Sequence, residues 1–144
     1  MMTFSPERTT DLELARVLLV DDDPTSRLTL QTVLQAGGYH VDAAASAAEA
    51  VGKMEEQEYE LVLSDLQMES PEAGLKVLAH ARMMDYKPAT ALVTTYQQEQ
   101  HFKPLQQSRM LIKPEGIPGL LAKVANLISE RAAKRVRREM RHAT

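Results

Sequence analysis

Apolar residues gather in five short runs along the chain, and polar, helix-compatible stretches separate them. Residues 16–20, 40–44, 61–64, 90–94 and 109–112 are predicted strands. Asp23-Pro24 is a helix start, with Asp as N-cap and Pro in the first turn. Leu28, Leu30, Val33 and Leu34 then give an apolar face, and Gly37-Gly38 stops the helix. Ser46 caps a second helix, with Glu49 three residues on completing a capping box. Leu75, Val77, Leu78 and Ala81 mark a third. Residues 97–108 are polar and contain Pro104, so a helix there is short or irregular. The last helix begins near Pro118 and runs to about Arg141, with Leu120, Leu121, Val124, Leu127 and Ile128 at helical spacing.

Alternation of strand and helix implies βαβ units, a parallel sheet and helices on both faces. Right-handed crossovers leave few topologies. The length of 144 residues fits one domain with a sizeable core. The expected division is a flexible N-terminal segment over 1–14, an α/β domain over 15–129, and a basic helical extension over 130–144.

Composition narrows the function. Cysteine is absent, which excludes disulfides and thiol chemistry and fits a reducing cytoplasm. No apolar run approaches the ~18 residues of a membrane span, and residues 1–14 lack the pattern of a signal peptide. The four histidines (His40, His80, His101, His142) are scattered, which argues against a His-based metal site. The net charge of −3 hides a division. Residues 1–128 hold 11 basic and 18 acidic side chains, net −7, whereas 129–144 hold 6 and 2, net +4. An acidic body disfavours nucleic-acid binding.

The candidate chemistry lies at the strand ends. Asp21, Asp22 and Asp23 follow Val17-Leu18-Leu19-Val20, Asp65 follows Leu61-Val62-Leu63-Ser64, Thr94 follows Ala91-Leu92-Val93, and Lys113 follows Met110-Leu111-Ile112. In an open parallel sheet that edge is where ligands bind. Asp21, Asp22 and Asp65 are hard oxygen donors, suited to Mg²⁺, which takes one or two carboxylates and retains waters. A carboxylate can also act as nucleophile and accept a phosphoryl group. A metal, the Lys113 ammonium and the Thr94 hydroxyl would neutralise charge on the transferring group. Each residue alone has a plainer reading as a helix cap or turn. Their joint order on separate strands favours the site.

These stretches (VLLVDDDPTSR, LVLSDLQM, ALVTTY and LIKP) resemble the receiver domain of bacterial two-component response regulators, over about residues 15–129. The resemblance implies a flavodoxin-like fold, a doubly wound five-stranded sheet of order 2-1-3-4-5. It implies that Asp65 accepts the phosphoryl group, and that Asp21 and Asp22 hold Mg²⁺, with Asp22 the more direct ligand. It further implies a metal contact from the Gln67 backbone carbonyl, a switch hydroxyl at Thr94 with Thr95 as the alternative, and phosphate pairing by Lys113. Asp23 is left as a helix cap. Three departures stand out. Glu69 takes the place where the family has Pro, with Pro71 displaced. Gly74 comes one residue late. Met110 replaces the usual aromatic three residues before Lys113.

The implied function is a stand-alone receiver, a phosphorylation acceptor rather than an enzyme. Its expected partners are a sensor histidine kinase or phosphotransfer protein and a downstream protein. A homodimer through the last strand-helix face and C-terminal helix is a further expectation. The alternatives are a receiver-like binding module that signals without phosphate, and a haloacid dehalogenase-like phosphatase with Asp21 as nucleophile. The second is weakened by the lack of a late acidic pair. In the tail, Ala132, Val136 and Met140 form a narrow apolar stripe at i, i+4, i+8. A solvated extension, a pairing surface and nucleic-acid contact compete there.

Overall fold

A computed structural model describes residues 14–65, 68, 70–94, 110–112 and 117–143. Five parallel strands form one sheet of order β2-β1-β3-β4-β5: β1 (Leu14–Val20), β2 (Tyr39–Ala44), β3 (Leu61–Asp65), β4 (Ala89–Thr94) and β5 (Met110–Ile112). Four helices accompany them: α1 (Pro24–Ala36), α2 (Ala47–Glu56), α3 (Pro71–Met83) and α4 (Ile117–Ala143). The predicted α/β class and strand order are those observed. The expected helix over 97–108 lies outside the described residues.

Successive side chains on a strand point to opposite faces, and the core divides accordingly. Val17 and Leu19 of β1, with Leu61 and Leu63 of β3, pack against Leu30 and Leu34 of α1 and Leu120, Val124 and Leu127 of α4. Leu18, Val20 and Val62 face the other way, onto Ala50 and Met54 of α2 and Val77, Leu78 and Ala81 of α3. The sheet is thus the middle layer of three. The runs Val17–Val20 of β1 and Leu61–Leu63 of β3 are apolar on both faces because both are covered.

The helix starts follow their local chemistry. The Asp23 carboxylate accepts a hydrogen bond from the Ser26 amide at 2.8 Å, and the Ser46 hydroxyl accepts one from the Glu49 amide at 3.1 Å. Gly38, with φ of 100°, follows the end of α1, a conformation that favours glycine. Pro71 begins α3 behind Ser70, so the displaced proline has become a helix-starting residue. One expectation fails. Leu28 is not part of the apolar face of α1 but is 64% exposed. Two residues on a helix span about 200°, so Leu28 cannot share a stripe with the buried Leu30.

Two polar ties stabilise the lower rim of the sheet. The buried Tyr59 donates its hydroxyl to Asp42 Oδ2 at 2.7 Å, and Arg16 donates to the same oxygen at 3.5 Å. Burial, reinforced by the hydrogen bond to Asp42, raises the Tyr59 phenol above its ordinary 10.0. The neutral phenol is therefore favoured by folding. Its contribution is complete below about pH 10 and is lost as pH rises further. The urea midpoint should fall steeply above that pH. Tyr59→Phe should flatten the alkaline limb while lowering stability at neutral pH by about 1 kcal/mol.

Candidate functional site

β1 and β3 are neighbours, with Val20 opposite Ser64. Asp21 directly follows β1 and Asp65 is the last residue of β3, so the two acids stand on neighbouring strand ends at the carboxyl edge. Paired strands lie about 4.8 Å apart. The next strand continues the row. Asp65 is opposite Val93 in β4, and Thr94 is opposite Ile112 in β5. Topology thus brings to one edge the ends of the four strands that carry the predicted residues.

Asp21 is fully buried and Asp65 is 5% exposed. Asp22, between the strand and α1, is exposed. The loop that holds them is tightly built. The Asp21 amide donates to the Ala44 carbonyl at 3.0 Å, which fastens the end of β1 to β2. The Asp21 Oδ1 accepts from the Asp23 amide at 3.0 Å. Arg27, one turn into α1, donates Nη1 to the Asp21 carbonyl at 2.9 Å. Asp23 is occupied as the α1 cap, as the sequence implied. The three adjacent acids therefore take three different environments: buried, exposed and capping.

Behind Asp65 the structure shows a close approach absent from the sequence reading. A Cβ on Gly74 of α3 would stand 2.7 Å from the Asp65 carbonyl oxygen. Only glycine lets α3 lie so near that backbone. The buried Ser64 hydroxyl donates to the same carbonyl at 3.3 Å. Sequence alone marked Gly74 only as displaced by one residue. Its packing role emerges when α3 docks on β3.

The donor chemistry fits Mg²⁺ in kind. Among the described residues, no three His, Asp or Glu side chains converge closely enough to hold a cation by themselves. The Asp21, Asp22 and Asp65 carboxylates thus do not form a closed cage. Their hard oxygen donors are of the kind Mg²⁺ takes, one or two carboxylates with water and phosphate oxygens completing its shell. Gln67, Glu69, Thr95 and Lys113 lie outside the described residues, as does the Thr94 side chain; Met110 and Thr94 are placed through their backbones. Lys113 directly follows Ile112, the partner of Thr94.

Residues 17–125 match the model of the response regulator receiver domain. The chain belongs to that family. Among curated relatives, it is 37% identical over 78 residues (54% of this chain, 10% of the relative) to the gliding motility regulatory protein of Myxococcus xanthus. It is 30% identical over 100 residues (69% of this chain, 10% of the relative) to the sensor histidine kinase GacS of Pseudomonas protegens. The chain thus spans about a tenth of the length of each. Among solved structures, the response regulator TrrA of Thermotoga maritima, in complex with Mg²⁺-BeF, is similar at 30% identity and a TM-score of 0.68, covering 79% of this chain and 99% of that one. The chemotaxis response regulator CheY4 of Vibrio cholerae is similar at 28% identity and a TM-score of 0.66, covering 79% and 98%. The receiver fold and family expected from the sequence are therefore established.

Among the described residues no helix is long and apolar enough to cross a membrane.

Proposed function

We propose that this receiver accepts a phosphoryl group on Asp65 from a sensor histidine kinase or phosphotransfer protein, in a Mg²⁺-dependent reaction in the cytoplasm, and signals by changed protein contacts. The observation that carries this is the placement of Asp21 and Asp65, both buried, each one residue past the paired Val20 and Ser64 at one sheet edge, with the exposed Asp22 next in the chain. Two apposed carboxylates repel unless a cation joins them. Bound there, Mg²⁺ would neutralise the acids and the phosphoryl oxygens. Asp21 and Asp22 would hold it, with Asp65 and the Gln67 carbonyl. The Asp65 carboxylate oxygen attacks phosphorus and becomes an acyl phosphate, and the donor leaves with the electrons of the broken bond. Lys113 pairs with a phosphoryl oxygen, and the Thr94 hydroxyl turns toward another. The chain is a phosphorylation acceptor in this scheme rather than a turnover enzyme. Support comes also from TrrA, whose structure holds Mg²⁺-BeF on a similar fold.

The test is titration with Mg²⁺ and beryllofluoride, followed by amide NMR. The expected result is a saturable set of shifts around Asp65, Thr94 and Lys113, extending to β5 and α4, and lost on chelation. An unchanged spectrum would overturn the proposal and favour a binding module that signals without phosphate.

A further inference from the structure

The end of the sheet opposite Asp65 carries opposite charges side by side. Three clefts adjoin there. The first, about 300 Å³, is bounded by Glu55, Glu56, Glu58 and Asp85, with Met54 and Met84. The second, about 100 Å³, shares Asp85 and adds Arg131, Arg135 and Arg138. The third, about 230 Å³, shares Arg131 and Arg138 and adds Lys134. Lys87 lines both basic clefts and Glu130 the third, so five acids and five bases share one continuous face, acidic at one end and mainly basic at the other.

Helical spacing explains the basic half. The stripe of α4 that packs on the sheet is Leu120, Val124 and Leu127. At the same spacing it continues as Arg131, Lys134 and Arg138. The buried face turns cationic where the helix leaves the sheet. The row is also fixed in place. Arg131 donates Nε to the Lys87 carbonyl at 2.9 Å and Nη2 to the Tyr86 carbonyl at 2.7 Å. The turn that presents those carbonyls includes Lys87 at φ of 44°, a left-handed conformation that is uncommon for a non-glycine residue.

We propose that this bipolar face is a self-association surface. Two copies meet about a two-fold axis, and the acidic cleft of each receives the Lys134–Arg138 row of the other. A two-fold interface uses the same patch on both partners, so that patch must complement itself. A face of one sign would repel its copy. A face with acid beside base, in equal number, attracts it and leaves no net charge to recruit a different partner. Exposed ion pairs each contribute little, so the association is weak, fast and salt-sensitive. It is independent of phosphorylation at Asp65. It also differs from pairing through the Val136–Met140 stripe, which lies on another side of α4, with those residues 52% and 65% exposed.

The experiment is analytical ultracentrifugation of the full chain at about 200 μM, in salt rising from about 0.1 M to about 1 M, where the screening length falls from ~10 Å to ~3 Å. The wild-type chain should form a dimer whose dissociation constant rises at least about tenfold over that range. Glu56→Lys with Asp85→Lys, and separately Lys134→Glu with Arg138→Glu, should each remain monomeric at low salt. Mixing the two variants should restore a heterodimer, a rescue that misfolding cannot produce. A wild-type chain that stays monomeric at low salt overturns the proposal. So does a dimer that ignores both charge reversals and dissolves only with Val136→Glu and Met140→Glu.

Discussion

Asp65→Asn should take no phosphoryl group from acetyl phosphate or a histidine kinase, with labelling reduced more than about a hundredfold, while the fold persists. The amide keeps the shape of the carboxylate but lacks a nucleophilic oxygen anion. Asp65 is buried at the end of β3, on the strand end next to that of the fully buried Asp21. Removing one of two apposed charges relieves repulsion when no cation is present. The urea midpoint without Mg²⁺ should therefore stay within about 1 kcal/mol of the parent or rise. Radiolabel transfer and circular dichroism on the same preparations check both halves. Retained labelling would show that another residue is the acceptor. A collapsed fold would show that Asp65 is structural.

The second large effect is expected at Gly74. An added methyl would meet the Asp65 carbonyl at 2.7 Å, closer than Cβ atoms approach in ordinary packing. Either α3 moves away or the end of β3 shifts, and both act on Asp65, the proposed phosphoryl acceptor. Overpacking of this kind costs about 1–3 kcal/mol. The offset from replacing glycine inside a helix is about 1 kcal/mol in the favourable direction, so net destabilisation should be ~0–2 kcal/mol. The functional loss should be larger, because a displacement on the order of 1 Å in a reacting group can cost about a hundredfold in rate. Gly74→Ala should therefore lower the rate of phosphorylation by acetyl phosphate by at least about tenfold and leave most of its stability, as read by urea denaturation. A variant that matches the parent in rate would show that α3 accommodates the methyl without moving Asp65. Gly52, in α2, gives a control, since a Cβ there meets nothing within 4 Å.

The contrast between these glycines shows where sequence reasoning stops. Strands were legible because each is a short apolar run closed by a polar residue; the parallel sheet followed from the alternation with helices, and its order from the resemblance to the receiver family. Caps at Asp23 and Ser46 were legible because a cap is local chemistry, settled within three residues. The row formed by Asp21 and Asp65 was legible once the sheet was parallel, since every strand then ends at the same edge. Contacts between elements were not. The approach of Gly74 to β3, the Arg27 bond to the Asp21 carbonyl and the Arg131 bonds to residues 86 and 87 join positions 6 to 45 residues apart. Nothing in local composition signals them. Leu28 failed for the opposite reason: its hydrophobicity suggested a core face, and the geometry of the helix places it outside. The basic tail was visible as a charge run. Its placement beside Asp85 became visible only when α4 was seen to continue past the sheet.

Acceptance of the phosphoryl group at Asp65 is tested most directly by peptide-mapped mass spectrometry after incubation with acetyl phosphate, with and without Mg²⁺. The mass gain of a single phosphoryl group should appear on the peptide that holds Asp65, only in the presence of Mg²⁺, and should vanish with hydroxylamine, which cleaves acyl phosphates. No gain under any condition, or a gain on the peptide that holds Asp21 and Asp22, would contradict it.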